Sequence, residues 1–258
     1  MEHRKESYQR KEKKDIIFGI HPVIEAVKSK QELNKIMIQR GIEKEHFRAL
    51  KEALADKDYN IQYVPIQKLN HLTAGNHQGV VAFVTPIEYQ NIETLVDQWV
   101  EDEKKPCILA LDRITDVRNF GAIARSAECQ GVDAILIPSK GSALVTADAV
   151  RTSSGALSRI PVCKTDDLKN SLFYIQQSGF RIIACTEKSS LPLQEVNLRG
   201  AIVIVMGSEE NGITSDLINM SDLRTNIPML GDIASLNVGV ATGIILYEKM
   251  RQELTRKI

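Results

Sequence analysis

The sequence has no histidine after His77, no CxxC pair and no long apolar run, and each absence removes a class of function. Without histidine, the rest of the chain cannot build a Ser-His-Asp triad or a His-rich zinc site. Three of the four cysteines lie in or beside apolar runs, which indicates buried thiols in a reducing compartment rather than metal ligands or disulfides. No segment approaches the roughly 18 apolar residues of a membrane helix. The first residues lack the apolar stretch of a secretory signal, so we expect a cytoplasmic protein.

The formal net charge is zero, because 33 Lys and Arg residues balance 33 Asp and Glu residues. Hydrophobic residues make up 43% of the 258 positions. This composition is typical of a globular protein and excludes a disordered charged chain. The charges are unevenly distributed along the chain. We predict a basic disordered tail over residues 1–14, an N-terminal module over 15–86, an acidic linker with a short helix over 87–105, and a C-terminal module over 106–258.

Strands and helices alternate in both modules. The N-terminal module reads as a compact α/β unit, and the C-terminal module has near-continuous apolar runs at 107–111, 134–137, 181–186 and 201–206. Strands that are buried on both faces of a parallel sheet have this pattern. The C-terminal module is therefore predicted to be a doubly wound α/β domain, with its ligand site at the carboxyl ends of the strands.

The first polar cluster after a buried strand is DRITDVRNFGAIARSAE, residues 112–128. Asn119 is placed to cap a helix that begins at Phe120, and Arg125 lies on the second turn of that helix. A simple cap and a solvated arginine fit the spacing as well as a functional pair does. Small residues such as Gly121 favour the functional interpretation, because they allow backbone or ligand to approach closely.

The second cluster is VMGSEENGI, residues 205–213. Gly207 and Gly212 have the glycine spacing of a phosphate-binding P-loop, but Ile213 stands where the P-loop lysine should follow. No GxGxxG follows any strand either, so an NTPase and a dehydrogenase are both disfavoured. Two interpretations remain: a capped turn, or a loop whose backbone holds a ligand while Glu209 contacts another catalytic element.

The third cluster lies within residues 226–250. Its segment Ile227-Pro228-Met229 is predicted to be extended, and Ser235 is placed to cap a long apolar final helix. Asn237 in the first turn of that helix needs a polar partner or a ligand if it is buried. Gly239 and Gly243 share a helix face and let another helix approach closely, within the chain or across a dimer.

Together the three clusters resemble the SpoU (TrmH) family of ribose 2′-O-methyltransferases, within the SPOUT superfamily. The resemblance is carried by DVRNFGAIAR at 116–125, GSEENG at 207–212, and Ile227-Pro228-Met229 followed by SLNV at 235–238. The N-terminal segments GIHP at 19–22 and HQGV at 77–80 resemble the RNA-binding extension of the ribosomal-RNA members, which is similar to a small ribosomal-protein fold. Three positions depart from the family pattern: Val117, Ala234 and Gly239.

The resemblance implies a deep trefoil knot in the C-terminal sheet, S-adenosylmethionine as cofactor, no metal, and an obligate homodimer that binds RNA across both subunits. The residues that it implies for the cofactor pocket are Thr186, Glu187, Met206, Gly207, Ile227, Met229, Ser235, Leu236 and Asn237. The residues that it implies for catalysis are Asn119, Arg125, Glu209, Ser235 and Asn237. For RNA we expect contacts from the basic Arg113 and Arg118 and from His77 and Gln78.

Arg125 has two possible roles. It could accept the hydroxyl proton as a base, but the pKa of a guanidinium exceeds about 12. It could instead position the ribose or a phosphate and stabilise the developing alkoxide, which we prefer.

The expected activity is methyl transfer to a guanosine of 23S ribosomal RNA, because the extra N-terminal module resembles a ribosomal-protein-type binder. The alternatives are the same transfer on transfer RNA, or a non-catalytic RNA-binding protein of the same fold.

Overall fold

The computed structural model describes residues 16–29, 31–42, 44–55, 59–232 and 235–255, so the predicted basic tail over 1–14 lies outside the described residues. The contacts divide the chain into two compact units. The first contains the described residues up to Glu88 together with Val145–Ala147, and the second contains Tyr89–Leu144 and the described residues from Asp148 onward. In the described part of the chain, no helix is long and apolar enough to cross a membrane.

The first unit is a mixed sheet with helices, which is the α/β character predicted for the N-terminal module. Its elements are β1 (Ile16–Phe18), α1 (Ile20–Lys28), β2 (Leu33–Gln39), α2 (Lys44–Ala53), β3 (Ile61–Val64), α3 (Ile66–Leu72) and β4 (Val80–Val84). The strand order is β1-β4-β2-β3, with β2 parallel to β3 and antiparallel to β4. Alternation along β2 buries both faces, because Ile36 and Ile38 pack with α1 and α2 while Met37 packs with Leu69 of α3.

The second unit contains a six-stranded, fully parallel sheet, which confirms the predicted α/β class. Its elements are α4 (Ile92–Glu101), β5 (Cys107–Asp112), α5 (Val117–Cys129), β6 (Ala134–Pro138), α6 (Ala147–Thr152), β7 (Val162–Thr165), α7 (Leu168–Gln177), β8 (Arg181–Cys185), β9 (Ile202–Gly207), α8 (Ser215–Met220), β10 (Leu223–Thr225) and α9 (Val238–Leu254). The strand order is β10-β8-β9-β5-β6-β7. The chain leaves β5 toward one edge and β9 toward the other, so the crevice of an open α/β sheet is expected where β5 and β9 adjoin.

Helices cover both faces of this sheet. On one face, α4, α7 and α8 pack against alternate strand residues such as Ile108 and Ala110. The intervening Leu109 and Leu111 are also fully buried. Burial of consecutive residues explains why the central strands read as continuous apolar runs.

The predicted acidic linker over 87–105 differs from what the structure shows. Residues from Tyr89 onward belong to the second unit, and Ile92, Val96 and Trp99 of α4 enter its main apolar core. These three residues recur at helical spacing and form one buried stripe. The acidic residues within the helix, such as the exposed Asp97, lie outside this stripe.

Two helices begin at residues other than those predicted. Helix α5 begins at Val117 rather than Phe120, because Asp116 is its N-cap and accepts hydrogen bonds from the backbone of Arg118 and Asn119, each at 2.8 Å. Helix α9 begins at Val238, and its N-cap is Asn237 rather than Ser235. Asn119 and Ser235 are therefore not the capping residues that the sequence suggested.

Candidate active site

A cavity of about 540 Å³ opens at the carboxyl ends of β8, β9 and β10 in the second unit, next to the expected crevice between β5 and β9 but without a β5 residue in its lining. This volume is within the range of small-molecule and cofactor sites. The predicted cofactor-binding residues that line the cavity are Thr186, Glu187, Met206, Gly207, Ile227, Met229, Ser235 and Leu236. Asn237, the remaining predicted residue, does not line the cavity and instead bonds to Glu209, which does.

The cavity wall combines apolar and acidic side chains. Met206, Val238 and Ile245 are buried apolar residues of the lining, while Glu187 and Glu209 are exposed at it. Such a site offers apolar contact to a ligand and attracts positive charge.

Cys185 also lines the cavity, but its thiol is not suited to nucleophilic chemistry. Burial raises the pKa of this thiol to about 12, because the thiolate is disfavoured away from water. The sulfur is therefore protonated at neutral pH, whereas a nucleophilic cysteine acts as the thiolate.

Three of the predicted catalytic residues form one hydrogen-bonded group. The Asn237 amide donates from Nδ2 to Oδ1 of Asn119 at 3.0 Å and to Oε1 of Glu209 at 2.6 Å. The backbone N–H of Val238 also donates to Oε1 of Glu209, at 3.3 Å. Side chains from all three sequence clusters thus meet at the start of α9, beside the cavity.

Asn237 performs a second role in the same place. Its Oδ1 accepts hydrogen bonds from the backbone N–H groups of Gly239 at 3.0 Å and Val240 at 3.3 Å. Capping the helix with one end of the amide fixes the direction of the other end toward Asn119 and Glu209.

The remaining predicted catalytic residues lie apart from this group. Ser235 lines the cavity on the segment that precedes α9. Arg125 does not line the cavity, is exposed on α5 and makes no hydrogen bond or ion pair with the described residues. Arg118 lies two turns earlier on the same exposed face of α5, consistent with a surface that is open to RNA.

The residues predicted to contact RNA differ in how available they are. The guanidinium of Arg113 is half-buried and bonds to the Asp112 carboxylate rather than projecting freely. In the first unit, His77 is buried, with Nε2 2.7 Å from Oδ1 of Asn70 and Nδ1 accepting from the backbone of Gly79 at 3.0 Å. Both ring nitrogens of His77 are therefore occupied by contacts within the first unit, one with α3 and one with the turn.

Gln78, the neighbour of His77, is exposed and has a φ of 48°, in the left-handed region. Its Oε1 accepts a hydrogen bond from the backbone N–H of Ile20 at 3.2 Å, which ties the HQGV segment to the GIHP segment. The two N-terminal segments singled out in the sequence are therefore adjacent in space.

Sequence reasoning missed several polar residues at the site. Lys188 and Asn226 line the cavity, and Thr214 bonds to the buried carboxylate of Asp112. The position of Asp112 at the end of a buried strand was the one signal that could have indicated a role. Among the described residues, no group of His, Cys, Asp and Glu is arranged to hold a metal ion.

Comparisons with known proteins give matches over both units of the chain. The model of the SpoU rRNA Methylase family matches residues 106–247, and the model described as RNA 2′-O ribose methyltransferase substrate binding matches residues 16–90. The chain is 33% identical over 237 residues to a protein of Staphylococcus saprophyticus named as a TrmH family tRNA/rRNA methyltransferase. That match covers 92% of this chain and 95% of the relative.

Two solved structures share the fold. The SpoU methyltransferase AviRb from Streptomyces viridochromogenes, solved in complex with the cofactor AdoMet, matches with a TM-score of 0.59 and 20% identity over 93% of this chain and 90% of its own. The TrmH/SpoU tRNA modifying enzyme of A. aeolicus matches with a TM-score of 0.55 and 28% identity, over 63% of this chain and 86% of its own.

Proposed function

The chain belongs to the SpoU rRNA methylase family and is an RNA methyltransferase, and we propose that it methylates a ribose 2′-hydroxyl on a guanosine of 23S ribosomal RNA, using S-adenosylmethionine. The observation that carries the proposal is the cavity at the strand ends, bordered by the linked side chains of Asn119, Glu209 and Asn237. The apolar wall and the acidic rim suit a cofactor that carries a nucleoside and a positive charge. The adjacent amide side chains of Asn119 and Asn237 suit a ribose.

The residues present suit S-adenosylmethionine. Apolar lining residues such as Met206, Leu236 and Ile245 offer contact to the adenosine and the methionine chain. Glu187 and Glu209 place negative charge on a cavity that would receive a sulfonium cation. We assign cofactor binding to the eight predicted lining residues, with Asn237 supporting them through Glu209.

In the proposed reaction the protein aligns the substrate with the cofactor and does not supply a nucleophile of its own. When bound, the cofactor supplies an activated methyl group. The chain must align the 2′-oxygen and assist the loss of its proton. Asn119, Glu209 and Asn237 orient the ribose, with Ser235 beside them. Arg125 contributes its permanent positive charge, which stabilises the developing alkoxide or holds a phosphate.

We propose that the active form is a homodimer. Helix α9 carries an exposed stripe of Val240, Ile244 and Tyr247 at helical spacing, which one chain leaves uncovered. Helix α5 adjoins this stripe, because a Cβ at Gly239 would lie 3.5 Å from the Cβ of Ala122. Arg125 belongs to the exposed face of α5, so dimerisation would bring it to the subunit boundary, near which RNA must bind.

The trefoil knot is also part of the proposal. The backbone N–H of Asn226 donates to the carbonyl of Leu191 at 3.0 Å, and its carbonyl accepts from the N–H of Leu193 at 2.8 Å. The chain that leaves β10 thus runs alongside the loop that follows β8, as a knotted passage toward α9 would require.

The choice of ribosomal RNA rests on the first unit. Residues 16–90 match a substrate-binding model, while the tRNA modifying enzyme of A. aeolicus has a counterpart for only 63% of this chain. Transfer RNA is the alternative substrate, and a reducing cytoplasmic location stays a prediction.

Two experiments test the proposal. Calorimetric titration of the full chain with S-adenosylmethionine should show one site per subunit, and absence of binding would favour the non-catalytic RNA-binding alternative. Mass spectrometry of ribosomal and transfer RNA from a strain that lacks the protein should show the loss of one ribose methyl group on a 23S guanosine. Loss of a transfer-RNA methyl group instead would refute the substrate assignment and leave the enzyme class intact.

A further inference from the structure

The carboxylate of Asp112 is buried and fully occupied by hydrogen bonds. Asp112 is the last residue of β5, lies opposite Gly207 in the sheet register, and has a side chain that is only 7% exposed. Its Oδ2 accepts from the backbone N–H of Thr214 at 2.7 Å and from the Thr214 hydroxyl at 2.6 Å. A buried carboxylate needs such partners, because an unpaired one would be strongly disfavoured.

Arg113 supplies the remaining partners through an unusual backbone conformation. Its Nε donates to Oδ1 of Asp112 at 3.0 Å and its Nη2 to Oδ2 at 3.2 Å, a two-pronged pair between neighbours in sequence. Consecutive residues of a strand point to opposite faces, so this pair requires the chain to turn. The turn is provided by a φ of 57° at Arg113, a left-handed conformation that is costly for a residue with a side chain.

Asp112 and Arg113 both form hydrogen bonds to the loop that follows β9. Besides Asp112, Arg113 Nη2 donates to the carbonyl of Gly212 at 3.1 Å, and the Asp112 carboxylate holds Thr214. The loop from Gly207 to Thr214 is therefore fastened at its far end by the first sequence cluster. Glu209, in the same loop, is fastened to the third cluster through Asn237.

We propose that Asp112 and Arg113 are positioning residues that hold the 207–214 loop in its cofactor-binding shape before the cofactor arrives. Neither residue lines the cavity, whereas loop residues from Gly207 to Gly212 do, so the pair acts on the ligand through the loop. The hydrogen bonds of Arg113 to Asp112 and Gly212 offset its backbone strain and so hold the turn in this conformation. This inference rests on the proposed binding of S-adenosylmethionine, and it replaces an RNA contact as the role of Arg113.

Arg113→Gly is the sharpest test, because glycine accepts the left-handed backbone without strain, so that the effect comes from loss of the side chain and its three hydrogen bonds. Arg113→Lys keeps a positive charge and loses the two-pronged geometry. Thr214→Val removes one donor to Asp112 and keeps the side-chain shape. Arg181→Ala is the matched control, since the half-buried Arg181 likewise donates to a backbone carbonyl, that of Arg199 at 2.5 Å, at the opposite end of the sheet.

Each full-length variant is measured in three ways: calorimetry with S-adenosylmethionine, RNA affinity, and hydrogen exchange of the loop amides without cofactor. Arg113→Gly should weaken cofactor affinity about tenfold, the loss expected from one charge-assisted hydrogen bond, while RNA affinity stays within about twofold. The amides of Asn211 and Gly212 should exchange faster even without cofactor. Arg113→Lys and Thr214→Val should show smaller changes in the same direction, and Arg181→Ala should show none.

The outcomes separate this inference from the proposed function. If the wild-type chain does not bind S-adenosylmethionine, the proposed function fails, while faster loop exchange in Arg113→Gly would still support the loop-holding role. If the wild type binds and Arg113→Gly binds equally well, with unchanged loop exchange, the inference is overturned. A uniform loss of RNA affinity in Arg113→Gly with unchanged cofactor affinity would also overturn it, because it would restore the RNA contact.

Discussion

Asn237 combines two functions that substitution can separate. Its Oδ1 caps α9, and its Nδ2 links Asn119 to Glu209. Asn237→Asp keeps an oxygen that can cap the helix but replaces the donor with a second oxygen, which faces the Glu209 carboxylate. Asn237→Ala removes both functions. The pair of variants therefore distinguishes the stability of the helix from the geometry of the site.

The magnitudes follow from the contacts. Loss of an Asn N-cap costs about 1 kcal/mol, which lowers Tm by roughly 2–4 °C in a domain of this size. Aspartate is an equally good cap and its charge suits a helix N-terminus, but its second oxygen would face the Glu209 carboxylate and repel it, so Asn237→Asp should lower Tm by less than Asn237→Ala does. Both variants disconnect Asn119 from Glu209, and misplacement of an orienting group costs about 100-fold in rate.

The assay measures Tm by scanning calorimetry and single-turnover methyl transfer to ribosomal RNA. Asn91→Ala is the control for capping alone, because Asn91 caps α4 by accepting from the backbone of Thr94 at 2.8 Å, away from the cavity. It should lower Tm and leave turnover intact. Ser235→Ala should leave Tm unchanged, since Ser235 is not the cap. Normal turnover in Asn237→Asp would refute the linking role, and an unchanged Tm in Asn237→Ala would refute the capping role.

Three further predictions concern other parts of the second unit. Arg125→Ala should abolish methyl transfer while calorimetry shows nearly intact cofactor binding, because the exposed guanidinium lies outside the cavity, and Arg125→Lys should be poor because it keeps the charge but lacks the planar fork; near-normal turnover in either would contradict its role. Ile244→Glu should convert the dimer to monomers in analytical ultracentrifugation, because it places charge in the exposed apolar stripe. An unchanged dimer would show that the interface does not include this stripe. The exposed Cys129 should react faster with a thiol reagent at pH 8 than the buried Cys107 and Cys163, because burial raises the pKa of these two thiols to about 12; rapid modification of either would contradict their burial.

How far the sequence predicts the fold depends on where each strand lies in the sheet. The four central strands of the second unit are buried on both faces and were predicted from their apolar runs. The strands that were missed, β7 and β10, are the two edges of the sheet. Their sequences include Lys164 and the exposed Arg224, because an edge strand is covered on fewer sides.

Helix starts were missed for a different reason. Asp116 and Asn119 lie near the start of one helix, and Ser235 and Asn237 lie before another, and all four are good capping residues. Local preference does not choose between such candidates. Packing decides instead, because α5 and α9 must approach closely where Gly239 adjoins Ala122. The result places the Asn119 and Asn237 amides within hydrogen-bond distance, which no local pattern encodes.

Gly207 has a structural role besides the close approach to a ligand for which its motif was singled out. It lines the cavity, and a Cβ at Gly207 would also collide with the backbone of Gly212 and Ile213, at the far end of its own loop. Gly207 therefore makes room for the loop to close on itself, as the hydrogen bond from Gly212 N–H to the Ser208 carbonyl at 2.9 Å indicates. Gly212 differs, because its φ is 62° and a Cβ there would meet open space.

The two glycines thus predict two different results. Gly207→Ala must displace backbone, so it should abolish measurable cofactor binding in calorimetry and loosen the contact between Arg113 and the Gly212 carbonyl. Gly212→Ala should cost only about 1 kcal/mol of backbone strain and leave most cofactor affinity, because left-handed conformations are tolerated at roughly this cost. Arg113, which directly follows β5 and has nearly the same φ, shows that this part of the protein accepts such a conformation when contacts offset it. Equal losses in the two variants would mean that the ligand, and not the loop, requires both glycines.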